Sequence, residues 1–198
     1  TSWQPASGVG GDCFDAIGFG RSRLALSIAD VVGKGIPAAL LMSNLQAAVR
    51  AFATDAAQPQ ELCQQVNRVL CGHIAEDRFI SFFYCVIDAD LGTLTYSNAG
   101  HYPPILVRAE GTVERLADGG VVLGVFADRA YLQGSVTIGR GDRLVFYTDG
   151  ITEARNAEDE EFGEDQLLTL AIEHRACSAP ALQARLVDAV SNFTAGRF

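Results

Sequence analysis

The sequence predicts a mixed α+β sandwich with mainly antiparallel strands. Three observations carry this. Apolar runs are of strand length and are joined by tight Gly/Asp turns; the middle of the chain is apolar enough that some strands must be covered on both faces; and helical periodicity is confined to four segments, two early and two late.

The elements follow in order. The Gly-rich turn Gly8-Val9-Gly10-Gly11-Asp12 precedes two strand-like runs, Cys13 to Phe19 and Arg23 to Val31, which are separated by a turn around Gly20 to Ser22. After Gly33-Lys34-Gly35, the apolar positions Ala38, Leu41, Leu45, Ala48, Val49 and Phe52 have the three- and four-residue spacing of one buried helix face. Pro37 suits the first turn of that helix, where its missing N–H is harmless. A second helix is predicted from Pro59 to about Ile74, burying Leu62, Val66, Val69 and Leu70. Five strands are predicted next: Phe79 to Ile87, Thr93 to Ser97, Ile105 to Arg108, Tyr131 to Ile138 and Arg143 to Tyr147. In the first of these hardly a residue suits water, so it is expected to lie between a second sheet and a layer of helices. Helices near Glu164 to His174 and Pro180 to Thr194 close the chain.

At 198 residues with 48% hydrophobic content, the chain fits a single domain over 1–198 with a well-filled core. No window approaches the ~18 apolar residues of a membrane span, and Thr1-Ser2-Trp3-Gln4-Pro5 lacks the pattern of a signal peptide. The net charge is −9, with Lys34 the single lysine, so neither nucleic acid nor anionic lipid is an expected partner. Five cysteines form no CxxC pair, which points to buried thiols in a reducing, cytoplasmic setting.

Three aspartates end apolar or Gly-rich stretches beside glycine: Asp12 after Gly10-Gly11, Asp30 before Val31-Val32-Gly33-Lys34-Gly35, and Asp149 in Tyr147-Thr148-Asp149-Gly150. A carboxylate at the end of a buried strand must be compensated for its desolvation, and an adjacent glycine lets the backbone turn close to a ligand. Three carboxylates with no matching Cys or His make an all-oxygen set, suited to Mg²⁺, Mn²⁺ or Ca²⁺ rather than zinc. Asp-Gly is also ordinary turn chemistry and Asp before a helix an ordinary N-cap, so the residue types alone leave both readings open.

The motifs in order go further. Val9-Gly10-Gly11-Asp12-Cys13-Phe14-Asp15 and Ala29-Asp30-Val31-Val32-Gly33-Lys34-Gly35-Ile36-Pro37-Ala38-Ala39-Leu40-Leu41-Met42 resemble the PPM-type phosphatases of the SpoIIE/RsbU class. So do Asn98-Ala99-Gly100-His101-Tyr102-Pro103-Pro104, Leu123-Gly124-Val125, Tyr147-Thr148-Asp149-Gly150-Ile151-Thr152-Glu153-Ala154-Arg155-Asn156 and Phe162-Gly163. The resemblance runs from about Gln4 to the last residues.

That resemblance implies a four-layer α-β-β-α sandwich and a metal-dependent phosphoprotein phosphatase acting on phosphoserine or phosphothreonine through two Mn²⁺ or Mg²⁺ ions. Asp30 matches the carboxylate that bridges both metals, the Val31 carbonyl ligates one, Asp149 ligates the other, and Asp12 holds a metal or its water. The implied substrate is a phosphorylated anti-sigma-factor antagonist in bacterial partner switching. The intact protein is expected to carry an N-terminal sensor or receiver domain, with the two helices after Asp30 serving for control and for homodimer contacts.

The match has gaps. The family's terminal Asp-Asp-x-Thr segment would begin about where Phe193 to Phe198 ends the chain, and a strand usually precedes Pro5-Ala6; both ends are expected to be trimmed from a longer regulatory protein. Without the terminal ligand, the alternative is a weak or inactive phosphatase-fold binding module; hydrolysis of small phosphate esters is a third reading. Many PPM enzymes outside this class have a His two residues after the bridging Asp, where this chain has Val32, so the leaving oxygen has no assigned donor except metal-bound water. His101 is read as a loop residue satisfied by backbone, Asp15 as a brace for the Gly-rich turn, and Glu153 with Glu158 to Glu161 as solvated surface. Lys34 lacks P-loop spacing, which excludes nucleotide hydrolysis and leaves open a place near the substrate phosphate or a solvated turn.

Overall fold

A computed structural model of the chain describes residues 10–72, 74 and 78–196; Gly8 and Val9 of the first motif, His73 near the end of the second helical segment, and the last two residues lie outside them. In chain order the elements are β1 (Cys13–Phe19), β2 (Arg23–Val31), α1 (Ile36–Phe52), α2 (Pro59–Cys71), β3 (Ile80–Asp88), β4 (Thr93–Ala99) and β5 (Ile105–Val107). There follow β6 (Val113–Arg115), β7 (Gly119–Gly120), β8 (Gly134–Thr137), β9 (Arg143–Val145), α3 (Asp149–Thr152), α4 (Gly163–Glu173) and α5 (Ala179–Phe193). They belong to two compact units: the described residues of Pro5–Pro103 with Leu116–Ile138, and those of Pro104–Arg115 with Gly139–Phe198. The two mainly antiparallel sheets, one with α1 and α2 and the other with α3, α4 and α5, are the α+β class expected from the sequence.

In the first unit the sheet order is β1-β2-β3-β4-β7, with β8 also paired to β4. Every pairing is antiparallel except β4 with β7. Alternate residues of β2 and β3, namely Ala25, Ala29, Val31, Ile80, Phe82, Tyr84 and Val86, pack with Leu41, Leu45 and Val49 of α1 and with Leu62, Val66 and Leu70 of α2. Each large apolar side chain among them contributes about 1.5–3 kcal/mol on full burial. The helix stripe predicted for α1 is the one buried, with Pro37 in its first turn. In α2 the buried stripe is Leu62, Cys63, Val66, Asn67 and Leu70, while Val69, expected inside, is 41% exposed. The stripe is rotated toward Asn67, whose side chain has partners there.

Asp15, read from the sequence as a brace for the Gly-rich turn, is tied to α1 instead. It lies in β1, nearly buried, and its carboxylate accepts two bonds from Arg50 of α1, at 2.8 Å from Nε and 2.7 Å from Nη2. The pair ties strand to helix, and the bidentate form is the strongest geometry available to it.

In the second unit the order is β6-β5-β9. Ile105, Val107, Val145 and Tyr147 share a core with Phe162, Leu167 and Ala171 and with Leu182 and Val190 of α5. β9 stops at Val145, two residues short of expectation, because its partner β5 begins at Ile105 and the preceding Pro104 has no N–H for the ladder. β8 is likewise shorter than predicted: Leu132 donates to the Gly119 carbonyl at 3.0 Å instead of joining the β4 ladder. α5 is capped by Ser178, whose Oγ accepts from Ala181 N–H at 3.4 Å.

Asp142 organises the turns of this unit. Its carboxylate accepts from Gly139 N–H (3.0 Å), Ala109 N–H (3.0 Å) and Arg108 Nη1 (2.9 Å), and its side chain is 11% exposed. Burial alone would raise its pKa, but the two backbone donors and the guanidinium outweigh burial and hold the carboxyl below its ordinary range. A depressed carboxyl stabilises the fold above its unfolded pKa of about 3.9, and that contribution is lost as pH falls through the folded value. Asp142→Ala should therefore destabilise the protein by about 2 kcal/mol at pH 7, and the difference from wild type should shrink in denaturant melts below about pH 4. A pH-independent difference would refute the linkage.

A cross-strand carboxylate pair as the candidate metal centre

The β1–β2 ladder ends at this side of the sheet with Cys13 opposite Ala29. Continued one and two steps further, the same register sets Asp12 opposite Asp30 and Gly11 opposite Val31. The chain holds that course: a Cβ on Gly11 would lie 2.8 Å from the Val31 carbonyl oxygen and 3.3 Å from Val31 Cβ. Glycine at 11 is thus required for the two backbones to approach, and it leaves the space beside the Val31 carbonyl open. On the other side of β2, Asp30 pairs with Ser81 and Val31 with Ile80.

Directly opposed residues share a face of the sheet. Val31 and Ile80 are on the helix face and in the core; Asp12, Asp30 and Ser81 therefore form a row across the opposite face. Asp12 and Asp30 are both half-buried. Like charges placed directly opposite each other repel, and a divalent cation removes that penalty. Two carboxylates and a carbonyl are hard oxygen donors, so the residues present fit Mg²⁺ or Mn²⁺. Among the described residues, no group of three or more His, Cys, Asp and Glu is gathered at cation-binding spacing.

Asp149 belongs to the other unit, in the first turn of α3 directly after Thr148. Its carbonyl accepts from Glu153 N–H at 2.7 Å. Lys34 is exposed between Gly33 (φ 113°) and Gly35 (φ 76°). The run Glu158 to Glu161 is exposed, with Glu161 paired to Arg155.

His101 is buried, as a satisfied loop residue should be: its N–H donates to Asn98 Oδ1 at 2.8 Å, and its carbonyl accepts from Asn98 Nδ2 at 3.0 Å. Its ring does more, with Nδ1 2.8 Å from Ser81 Oγ. The sequence alone does not single out Ser81, although it is the one small hydroxyl in the apolar run 79–87. Nor does it single out Asn67. That side chain is fully buried on α2; it accepts from Gly124 N–H at 2.9 Å and donates to the Phe126 carbonyl at 2.8 Å. The Leu123-Gly124-Val125 motif is thereby fixed to α2, and Leu123 exchanges two backbone bonds with Ile80, the cross-strand neighbour of Val31. Burial pushes the Cys63 and Cys85 thiols up to about 12, so both stay protonated at neutral pH and neither is an activated nucleophile.

The family model for stage II sporulation protein E (SpoIIE) matches residues 20–198. Phosphoserine phosphatase RsbU of Bacillus subtilis is 32% identical over 187 residues, covering 94% of this chain and 55% of that protein. The solved RsbU and RsbW domains of Rv1364c from Mycobacterium tuberculosis superpose with a TM-score of 0.82 at 28% identity, over 96% of this chain and 52% of that one. RsbX, solved in complex with magnesium, has the same fold with a TM-score of 0.70 at 16% identity, over 97% of this chain and 84% of that one. The chain spans between 30% and 55% of the length of the curated relatives it matches. Among the described residues, no helix is long and apolar enough to cross a membrane.

Proposed function

Because the chain belongs to the SpoIIE family of PPM-type phosphatases, we propose that it hydrolyses phosphoserine or phosphothreonine in a protein substrate, with water activated by a pair of Mn²⁺ or Mg²⁺ ions. The observation that carries this reading is the Asp12–Asp30 row, with the Val31 carbonyl beside it and a glycine that keeps the approach open. In this reading Asp30 would serve both ions, the Val31 carbonyl would serve one, Asp12 would hold an ion or its water, and Asp149 would be the further carboxylate that the family resemblance calls for. Bound there, such ions lower the pKa of water and offset charge on the phosphoryl oxygens. The chain supplies fixed oxygen donors on the end of a rigid sheet, and it needs no covalent intermediate, which agrees with the protonated buried thiols.

The proposed substrate is a phosphorylated anti-sigma-factor antagonist, and the proposed regulator is a sensor or receiver domain acting on α1 and α2. The likeness to RsbU supports both. The regulator has a second support in α1, which leaves Ile36 (71%) and Leu40 (62%) exposed, apolar surface that a regulatory domain or a second copy would cover.

The test is phosphate release from a phosphoserine peptide and from a small aryl phosphate, with Mn²⁺, Mg²⁺ or EDTA. Release with either ion, lost in EDTA and at least about ten-fold faster in kcat/KM on the peptide, is the expected result, a preference of ~1.4 kcal/mol. Equal release in EDTA would overturn the metal mechanism. Folded protein that binds Mn²⁺ yet releases nothing would leave a binding module.

A further inference from the structure

We propose that Ser81 and His101 are positioning residues for the Asp30 carboxylate: the His101 ring fixes the Ser81 hydroxyl, and Ser81 presents that hydroxyl to its cross-strand neighbour. The inference rests on the metal-centre reading of Asp30 and adds to it two residues that the motif comparison leaves unassigned.

Each link has a local cause. Ser81 is directly opposite Asp30 in the β2–β3 register and shares its face of the sheet. Its neighbours Ile80, Phe82 and Phe83 are fully or almost fully buried, so a hydroxyl here interrupts an otherwise apolar strand. The hydroxyl meets His101 Nδ1 at 2.8 Å. The His101 backbone is fixed by Asn98, which holds both its N–H and its carbonyl, and Asn98 Nδ2 is also bonded to the Leu116 carbonyl at 3.2 Å; the ring leaves this anchored point buried, 4% exposed for the residue.

Proton bookkeeping selects the direction of the bond. A serine hydroxyl has one proton and a carboxylate only accepts. With the proton on His101 Nδ1, the ring donates to Ser81 Oγ and the serine proton is left for Asp30. With the other tautomer, Ser81 spends its proton on the ring and turns lone pairs toward a carboxylate. The first arrangement is favoured beside Asp30. Partners of this kind fix the orientation of ligating carboxylates and raise affinity for the ion, and their loss typically weakens binding by about 10–100-fold.

The experiment is Mn²⁺ titration of EDTA-stripped protein by calorimetry, with thermal melts in EDTA alongside. Ser81→Ala and His101→Phe, the second filling the ring volume without a donor, should each weaken Mn²⁺ binding by about 10-fold or more. Ser81→Thr should stay within about three-fold of wild type, because it keeps the hydroxyl. His101→Asn should do the same, because its amide nitrogen falls near the Nδ1 position. Ser81→Ala should melt in EDTA only a few degrees below wild type, since the buried His101 Nδ1 loses its partner, and should stay fully folded at the titration temperature. Wild-type affinity retained in Ser81→Ala would overturn the inference and leave the metal centre standing. So would a loss of affinity in Ser81→Thr as large as that in Ser81→Ala. Absence of Mn²⁺ binding by wild type would overturn the metal centre itself, and this inference with it.

Discussion

Asp30→Asn is expected to lower metal-dependent phosphate release by about 10³-fold or more, a loss of roughly 4 kcal/mol of transition-state stabilisation. The same substitution should leave the melting temperature in EDTA unchanged or slightly raised. The two readouts separate because asparagine is isosteric with aspartate. The β2 backbone keeps its register with Cys13–Ala29 on one side and Ser81 on the other, so the sheet loses nothing. The site loses the one carboxylate set between Asp12 and Ser81, and a neutral amide is a far weaker donor to a hard divalent cation. Without metal, the substitution removes one of two like charges on adjacent strands, which relieves repulsion worth up to about 1 kcal/mol. A residue whose loss stabilises the metal-free fold and disables the chemistry is retained for function rather than for folding. Phosphate release under saturating Mn²⁺, with melts in EDTA, checks both halves. Activity within ten-fold of wild type would remove Asp30 from the mechanism. A melting temperature several degrees lower would mean that it supports the fold.

What can be read in the sequence is what depends on near neighbours. The predicted bounds of β1 and β2 match the structure because alternation, a Gly20 turn with φ 64° and the motif glycines that flank the two strands are all local to the hairpin. The apolar run at 79–87 announces a strand with little to offer water, and β3 is that strand. Asp12 and Asp30 are legible as site candidates from their motifs, and their pairing follows from a hairpin register. Distant partners are not legible. Asp15 reads as part of the turn beside it because Arg50, its partner, is 35 residues away. Asn67 gives no sign of being inside because its partners Gly124 and Phe126 come nearly sixty residues later. β7 offers no strand signal at all, since two glycines have no β-propensity to read.

That absence of side chains is what β7 requires, and it sets the second large expected effect. Gly119→Ala should destabilise the protein by about 3 kcal/mol or more, lowering the melting temperature by roughly 6–12 °C. A Cβ on Gly119 would lie 1.9 Å from the Asn98 carbonyl oxygen and 2.5 Å from both the Asn98 carbonyl carbon and nitrogen. All three neighbours are backbone, so no side-chain rotation can relieve the overlap; β7 must move off β4. Displacement gives up the Asn98 N–H to Asp118 carbonyl bond at 2.8 Å and strains the Asn98 side chain that holds His101. Gly18→Ala is the matched control: Gly18 is also in a strand, a methyl group there would meet nothing within 4 Å, and stability should change by less than about 0.5 kcal/mol. The same comparison tests the reach of the Ser81–His101 pair. If Asn98 fixes His101 for the benefit of Asp30, the Gly119→Ala protein that remains folded at low temperature should bind Mn²⁺ more weakly than wild type, while Gly18→Ala binds it equally. Melts of the two alanine variants that coincide would show that the sheet edge yields freely at β7, and the rigid support assigned to Asn98 would go with it.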